Sequence, residues 1–466
     1  MRAGARRSSG LNESSLHRTA ASKMLIQKAS SRIPLMSMTQ TLAADGSAPA
    51  TLARSTSNPR NAVRREVWIL LSGLLALTFK LAIAWNTLGT NDVLTFYRFG
   101  ESLKTHGLEW TYTNSISFNH PPLTAYFLQS IYTLSHQPFF QDNGISFPFL
   151  LRLPAICADF ISLLVLLRLT AAFPKLRLPT WALFLFALSP TYVMVSGFHG
   201  NTDPLMVMFL LFASLFCLRG KSVLCGLFLA LSCQIKIIPL LLLPIFFFFW
   251  LPRRRAVSFS LPFVLVSLVL WAEPLLKFPA LFLKNVLSYG SFWGLWGITY
   301  FLRLTGWSQF GRVSYYNLST AQTAVGILLK LLIIVCVIVI AWRRRALPAT
   351  ALLSSMAYAW IVFFVFSPGV CAQYMVWLMP YVLILSPALY GYVELTSSLF
   401  LFFFYNTIAD AFPWYVAISR SRSNLDWTPW SVWPWAVLIA GLIIFWKAAR
   451  RRDPSLRLLS LDALPT

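Results

Sequence analysis

An acid, two histidines, a lysine and a glutamine-tyrosine pair sit at the edges of apolar runs, where each could do chemistry at a membrane surface. Asp92 lies just past the first apolar run, in the polar stretch Thr90 to Tyr126, with Arg98, Glu101 and Lys104 close by. Beside a low-dielectric surface a carboxylate's pKa rises and it becomes a better base. Asp92 is therefore a candidate general base, and a surface pair with Arg98 is the alternative. His120 opens His120-Pro121-Pro122, where the imidazole could hold a hydroxyl or a phosphate and the prolines start a helix. His199, Asn201 and Asp203 cluster at the end of another apolar run, either facing a substrate or marking a helix cap, with Thr202 or Asp203 opening the next helix. Lys236 interrupts an apolar stretch beside a predicted helix break. A phosphate would satisfy it, and so would a buried pair with Asp159. Gln373 and Tyr374 follow Ser367-Pro368-Gly369 at a further run, and Arg303 and Arg312 lie in an aromatic segment. No Asp-x-Asp pair or His-x-x-x-His spacing occurs, so no metal cofactor is expected.

The elements that must carry these residues are membrane helices. Of 466 residues 57 % are hydrophobic and only 12 % charged, with a mean hydropathy of +0.65. Soluble domains carry about 25 % charged residues, so the chain reads as an integral membrane protein. The net charge of +24 falls in short clusters between apolar runs. That pattern fits positive-inside topology and contact with anionic lipid, not nucleic acid.

Residues 1–65 are basic and poor in apolar side chains, and read as a disordered cytoplasmic tail. Residues 66–446 form the membrane domain, and 447–466 a second basic cytoplasmic tail. The fold class is all-α and polytopic, with about 12 transmembrane helices. Leu123 to Leu134 is too short and polar to span easily, and is placed flat on the outer surface as an amphipathic helix. That choice leaves the clusters Arg343-Arg344-Arg345 and Lys447 to Arg452 inside, and Asp92, His199 and Gln373 outside. Ser222 to Trp250 begins and ends in basic sequence, and reads as two short helices breaking near Gln234 to Pro239.

Taken in order, the acid after the first span, Pro121 to Tyr126, Gly200 to Asp203, Lys236 to Pro239 and Gln373 to Trp377 resemble the GT-C superfamily of membrane glycosyltransferases. The resemblance is to its polyprenyl- or dolichyl-phosphate-sugar-dependent mannosyl- and glucosyltransferases. It implies a hexosyltransferase that moves a sugar from a polyprenyl-phosphate carrier to a lipid-linked or glycan acceptor on the non-cytoplasmic face, without a metal. Asp92 matches the family's catalytic acid and would deprotonate the acceptor hydroxyl as the anomeric carbon inverts. Lys236, Arg303 or Arg312 would steady the phosphate. The setting implied is a bacterial inner membrane ahead of an endoplasmic reticulum. Partners would be the lipid-linked donor, a membrane-associated acceptor and membrane lipids, with no nucleic acid. A transporter or flippase of lipid-linked glycans is the alternative.

Overall fold

The computed structural model describes residues 59–452 apart from 116, 175, 177, 288–291, 316, 410 and 419–424. Most of the two predicted tails therefore lies outside the described residues. The described chain is nearly all-α. Six helical segments are long and apolar enough to cross a membrane: Val63–Asn86, Phe147–Ala172, Thr180–His199, Thr320–Arg344, Pro387–Ile408 and Thr428–Lys447. Six more apolar helices are shorter, at 10–17 residues: Asp203–Leu218, Ser222–Ile235, Ile238–Trp250, Ala256–Leu270, Ala351–Phe366 and Ala372–Leu385. Thr320–Arg344 and Val63–Asn86 turn most of their surface outward, as helices of a bundle wall do. Ala351–Phe366 buries nearly every residue in the centre.

The predicted hairpin breaks where its sequence says it should. Ser222–Ile235 ends at Lys236, whose backbone is extended, and a 3-10 turn over Ile238–Leu242 restarts the chain into Leu243–Trp250. A later boundary falls at Ser386, between Met375–Leu385 and Pro387–Ile408. Ser386 accepts from the backbone N–H of Leu389 and Pro387 opens the next helix, so a cap and an N1 proline set the break.

The polar stretch after the first span is helical, not a loop. Asn91–Asn114 runs as two helical pieces joined at Gly107, whose φ of 85° ends the first. Val93, Phe96, Phe99, Gly100 and Leu103 recur on one face and are buried there. They pack on Leu128 and Ile131 of Pro122–Ser135 in a small core separate from that of the bundle. Pro122–Ser135 thus turns Thr124, Ala125, Leu128 and Ile131 into the protein, while Leu123, Phe127 and Leu134 are half-buried.

Arg152, in Phe147–Ala172, ties the end of the first span to the turn Val193–His199. It is fully buried, and its guanidinium donates to the carbonyl oxygens of Ala84 (3.0 Å), Thr87 (2.5 Å), Gly197 (3.1 Å) and Phe198 (3.3 Å). Those carbonyls end the first span and the π-helical turn Val193–His199, where no intrahelical donor is available.

Candidate active site

Four segments distant in sequence meet at Asp92. The carboxylate sits in the first turn of Asn91–Asn114, where the helix dipole favours a negative charge. Thr90 caps that helix: its hydroxyl accepts from the Asp92 N–H (3.2 Å) and donates to the carbonyl of His199 (2.9 Å). One hydroxyl therefore fixes both the acid and the strand-like approach to His199. The backbone pairing of Gly89–Thr90 with Val416–Ala417 holds the same corner from the other side.

His199 ends the turn Val193–His199, a π-helical segment of a kind often found at functional sites. Its Nε2 lies 2.9 Å from Asp92 Oδ2, and its Nδ1 lies 2.8 Å from the Tyr405 hydroxyl. Gly200 follows with φ of 81°, and a Cβ there would stand 2.4 Å from Val93 Cγ2. Only glycine lets the turn approach the Asp92 helix so closely. From a third direction, the Gln373 side-chain amide donates to Asp92 Oδ2 at 3.2 Å.

Next to this group lies a second, ionic one. Lys236, at the helix break, forms an ion pair with Asp203 at the start of Asp203–Leu218. Its ammonium also lies over the rings of Tyr374 (4.8 Å) and Trp377 (5.3 Å), which stack on each other at 3.8 Å. Asn201 Oδ1 accepts from the Asp203 N–H at 3.0 Å, so the capping bond comes from Asn201 and not from the expected Thr202 or Asp203. Thr202, the residue in the cap position, makes no side-chain cap bond.

His120 is buried against Phe96 and Phe118, and its Nδ1 has no hydrogen-bond partner among the described residues. Burial, then the Lys236 ammonium, press its pKa down to about 3 against the opposing pull of Asp92. It is neutral at physiological pH and lies within electrostatic reach of both groups.

Burial pushes the Asp92 carboxyl up, but the electrostatic pull and hydrogen bond of His199, with the Lys236 ammonium beyond it, more than offset this. Asp92 is held below the usual aspartate value. A low dielectric alone predicts the opposite direction, and the donors converging on the acid reverse it. Neither alternative pairing holds. Asp92 bonds His199 and Gln373, not Arg98, and the partner of Asp159 is Lys80 at 2.6 Å, not Lys236.

Of the predicted residues, Asp92, His120, His199, Asn201, Asp203, Lys236, Gln373 and Tyr374 come together. Arg303 and Arg312 are held elsewhere. Arg303 donates to Thr428 at 3.3 Å and lies over Tyr300, and Arg312 is exposed with its carbonyl accepting from Gln322. Tyr405 and Arg152 were not foreseen. Each is one polar group inside an apolar run, which marks a side chain needing a partner but does not name the partner. Among the described residues, no three His, Cys, Asp or Glu side chains are placed to share a metal ion.

This arrangement pairs an ionised, doubly hydrogen-bonded carboxylate with a nearby ammonium framed by aromatic rings. It can take a proton from a hydroxyl on one side and receive an anionic group on the other. No curated protein matches the chain. Residues 110–254 match the model of a family described as alpha-(1->6)-mannopyranosyltransferase, N-terminal domain. The matched stretch includes His120, His199, Asn201, Asp203 and Lys236, and leaves Asp92, Gln373 and Tyr405 on either side of it. The chain thus resembles the GT-C mannosyltransferases, through a stretch that matches the N-terminal domain of one of their families.

Proposed function

We propose that the protein transfers mannose from a polyprenyl-phosphate carrier to a membrane-associated acceptor, inverting the anomeric carbon, with Asp92 as general base. The family match supports mannose as the sugar. The observation that carries the reading is the convergence of His199 and Gln373 on one oxygen of Asp92. Both bonds fall on Oδ2, so Oδ1 is left to accept the proton of the acceptor hydroxyl. The hydroxyl oxygen then attacks the anomeric carbon as the carrier phosphate departs with the bonding pair. A phosphate is already a good leaving group, and what it needs is fixed positive charge. Lys236 donates one hydrogen to Asp203 and keeps two for phosphate oxygens. The stacked rings of Tyr374 and Trp377 wall that side and offer a sugar ring an apolar face.

In this reading all twelve apolar helices cross the membrane, and the site opens on the non-cytoplasmic face. The helix Pro122–Ser135 lies along that face with its outward side against lipid. No metal takes part. The test is transfer of labelled mannose by the purified full chain in detergent, with EDTA present. Polyprenyl-phosphate mannose and a nucleotide-linked mannose are offered as alternative donors. Transfer from the lipid donor alone supports the reading. Transfer from the nucleotide sugar, or loss of transfer with EDTA that a divalent cation restores, contradicts it.

A further inference from the structure

We propose that Tyr405 is a positioning residue for the base: its hydroxyl fixes His199 in the tautomer whose hydrogen points from Nε2 at Asp92. The inference rests on Asp92 being the base and adds a device that keeps it aimed.

Tyr405 is fully buried in Pro387–Ile408, with its ring packed against Phe198 (5.4 Å), Phe404 (5.1 Å) and Trp414 (5.3 Å). Its hydroxyl meets His199 Nδ1 at 2.8 Å. A neutral imidazole has one nitrogen that donates and one that accepts. When Tyr405 donates to Nδ1, the ring hydrogen must sit on Nε2, which faces Asp92 Oδ2 at 2.9 Å. The opposite tautomer would set a nitrogen lone pair against a carboxylate oxygen at that distance. The imidazolium would require Tyr405 to accept instead, stranding its own hydrogen among aromatic rings at a desolvation cost. Both competing states are thereby disfavoured, and His199 becomes a fixed donor. Its 4 % exposure leaves little room for water to replace the hydroxyl.

Among the described residues, the other ionisable groups facing this corner are Arg152, which bonds the Phe198 carbonyl, and His120, Asp203, Lys236, Cys371 and Tyr374. None of them touches Nδ1 of His199, so removal of the Tyr405 hydroxyl alters one hydrogen bond and leaves their charges in place.

The experiment is Tyr405→Phe in the full chain, assayed for mannose transfer across pH, with His199→Gln and the double variant alongside. Without the hydroxyl the imidazole is no longer held to the Nε2–H form, and Asp92 loses part of the donor that favours its charged state. The acid limb of kcat then moves to higher pH and kcat falls about tenfold, while KM for donor and acceptor stays put. Gln at 199 can donate to Asp92 without help, so adding Y405F to H199Q changes neither kcat nor the acid limb. Y405F with unchanged kcat and acid limb overturns the inference, as does an equal loss in the H199Q background. Either result in an enzyme that Asp92→Asn inactivates removes the role of Tyr405 alone. Full activity of Asp92→Asn instead removes the reading beneath it.

Discussion

The hydroxyl of Thr124 reaches across to the backbone just ahead of Lys236, donating to the carbonyl oxygens of Gln234 (3.2 Å) and Ile235 (2.9 Å). Those carbonyls belong to the last turn of Ser222–Ile235, where helix geometry supplies no donor. The helix Pro122–Ser135 therefore finishes Ser222–Ile235, and the site lysine emerges at a fixed place and angle.

Replacing Thr124 with Val keeps the shape and removes that donor. The stability loss is about 1 kcal/mol, read as a small fall in the unfolding temperature in detergent. The larger effect is on position: KM for the lipid-linked donor rises several-fold because Lys236 is no longer pinned. Unchanged donor KM in Thr124→Val would show that the latch has no part in placing Lys236.

Two buried ion pairs allow structure to be separated from chemistry. Lys80 and Asp159 pair inside the bundle, each 6 % exposed, and Lys236 and Asp203 pair at the site. Removing one partner of either pair leaves an uncompensated buried charge and costs about 3–5 kcal/mol. Replacing both partners with apolar residues of similar size restores stability in each case. Lys80→Met with Asp159→Leu is expected to transfer mannose near the parent rate. Lys236→Met with Asp203→Leu is expected to fold and not transfer. Thermal unfolding and transfer measured on the same preparations check both halves.

The four-segment junction was partly legible in the chain. Asp92, His199, Asp203, Lys236 and Gln373 each mark a polar residue at the end or break of an apolar run, and position alone singled them out. Pairing was not legible, because partners lie up to 281 residues apart, as Gln373 and Asp92 do. Lys236 was equally compatible with Asp159 until Lys80 was seen to occupy that acid. Arg303 and Arg312 looked suitable on charge alone, yet the backbone turns them to Thr428 and to the exterior. The helices came through well for a plain reason: hydropathy fixes a span, and Pro, Ser and Gly fix where it stops.

Gly200→Ala tests the close approach of the His199 turn to the Asp92 helix. A left-handed backbone costs an L-residue about 1–2 kcal/mol, and the added methyl would overlap Val93. Since Val93 adjoins Asp92, transfer should fall further than stability does. Gly200→Ala that matches the parent in both unfolding temperature and kcat contradicts the packing described for this turn.

Proton linkage makes a further prediction. His120 titrates at about 3 in the folded protein against 6.5 when unperturbed, so the unfolded chain binds the extra proton first. Stability is full above about pH 6.5 and declines as pH falls from there toward 3. His120→Asn flattens that decline, read as unfolding temperature against pH. Asp92, held below its ordinary value of 3.8, is still ionised where the His120 decline begins. Its own stabilisation is lost only as pH falls below about 4, and the acid limb of transfer lies lower than an ordinary aspartate would set it.

The central claim is that Asp92 removes the acceptor proton. The most direct measurement is mannose transfer by Asp92→Asn beside the parent, with binding of polyprenyl-phosphate mannose measured on the same samples. Asparagine keeps the shape and can still meet Gln373 and His199, but it cannot take a proton. The expected result is a fall in kcat of at least about a hundredfold with donor binding within a few-fold of the parent. Transfer by Asp92→Asn at the parent rate would contradict it.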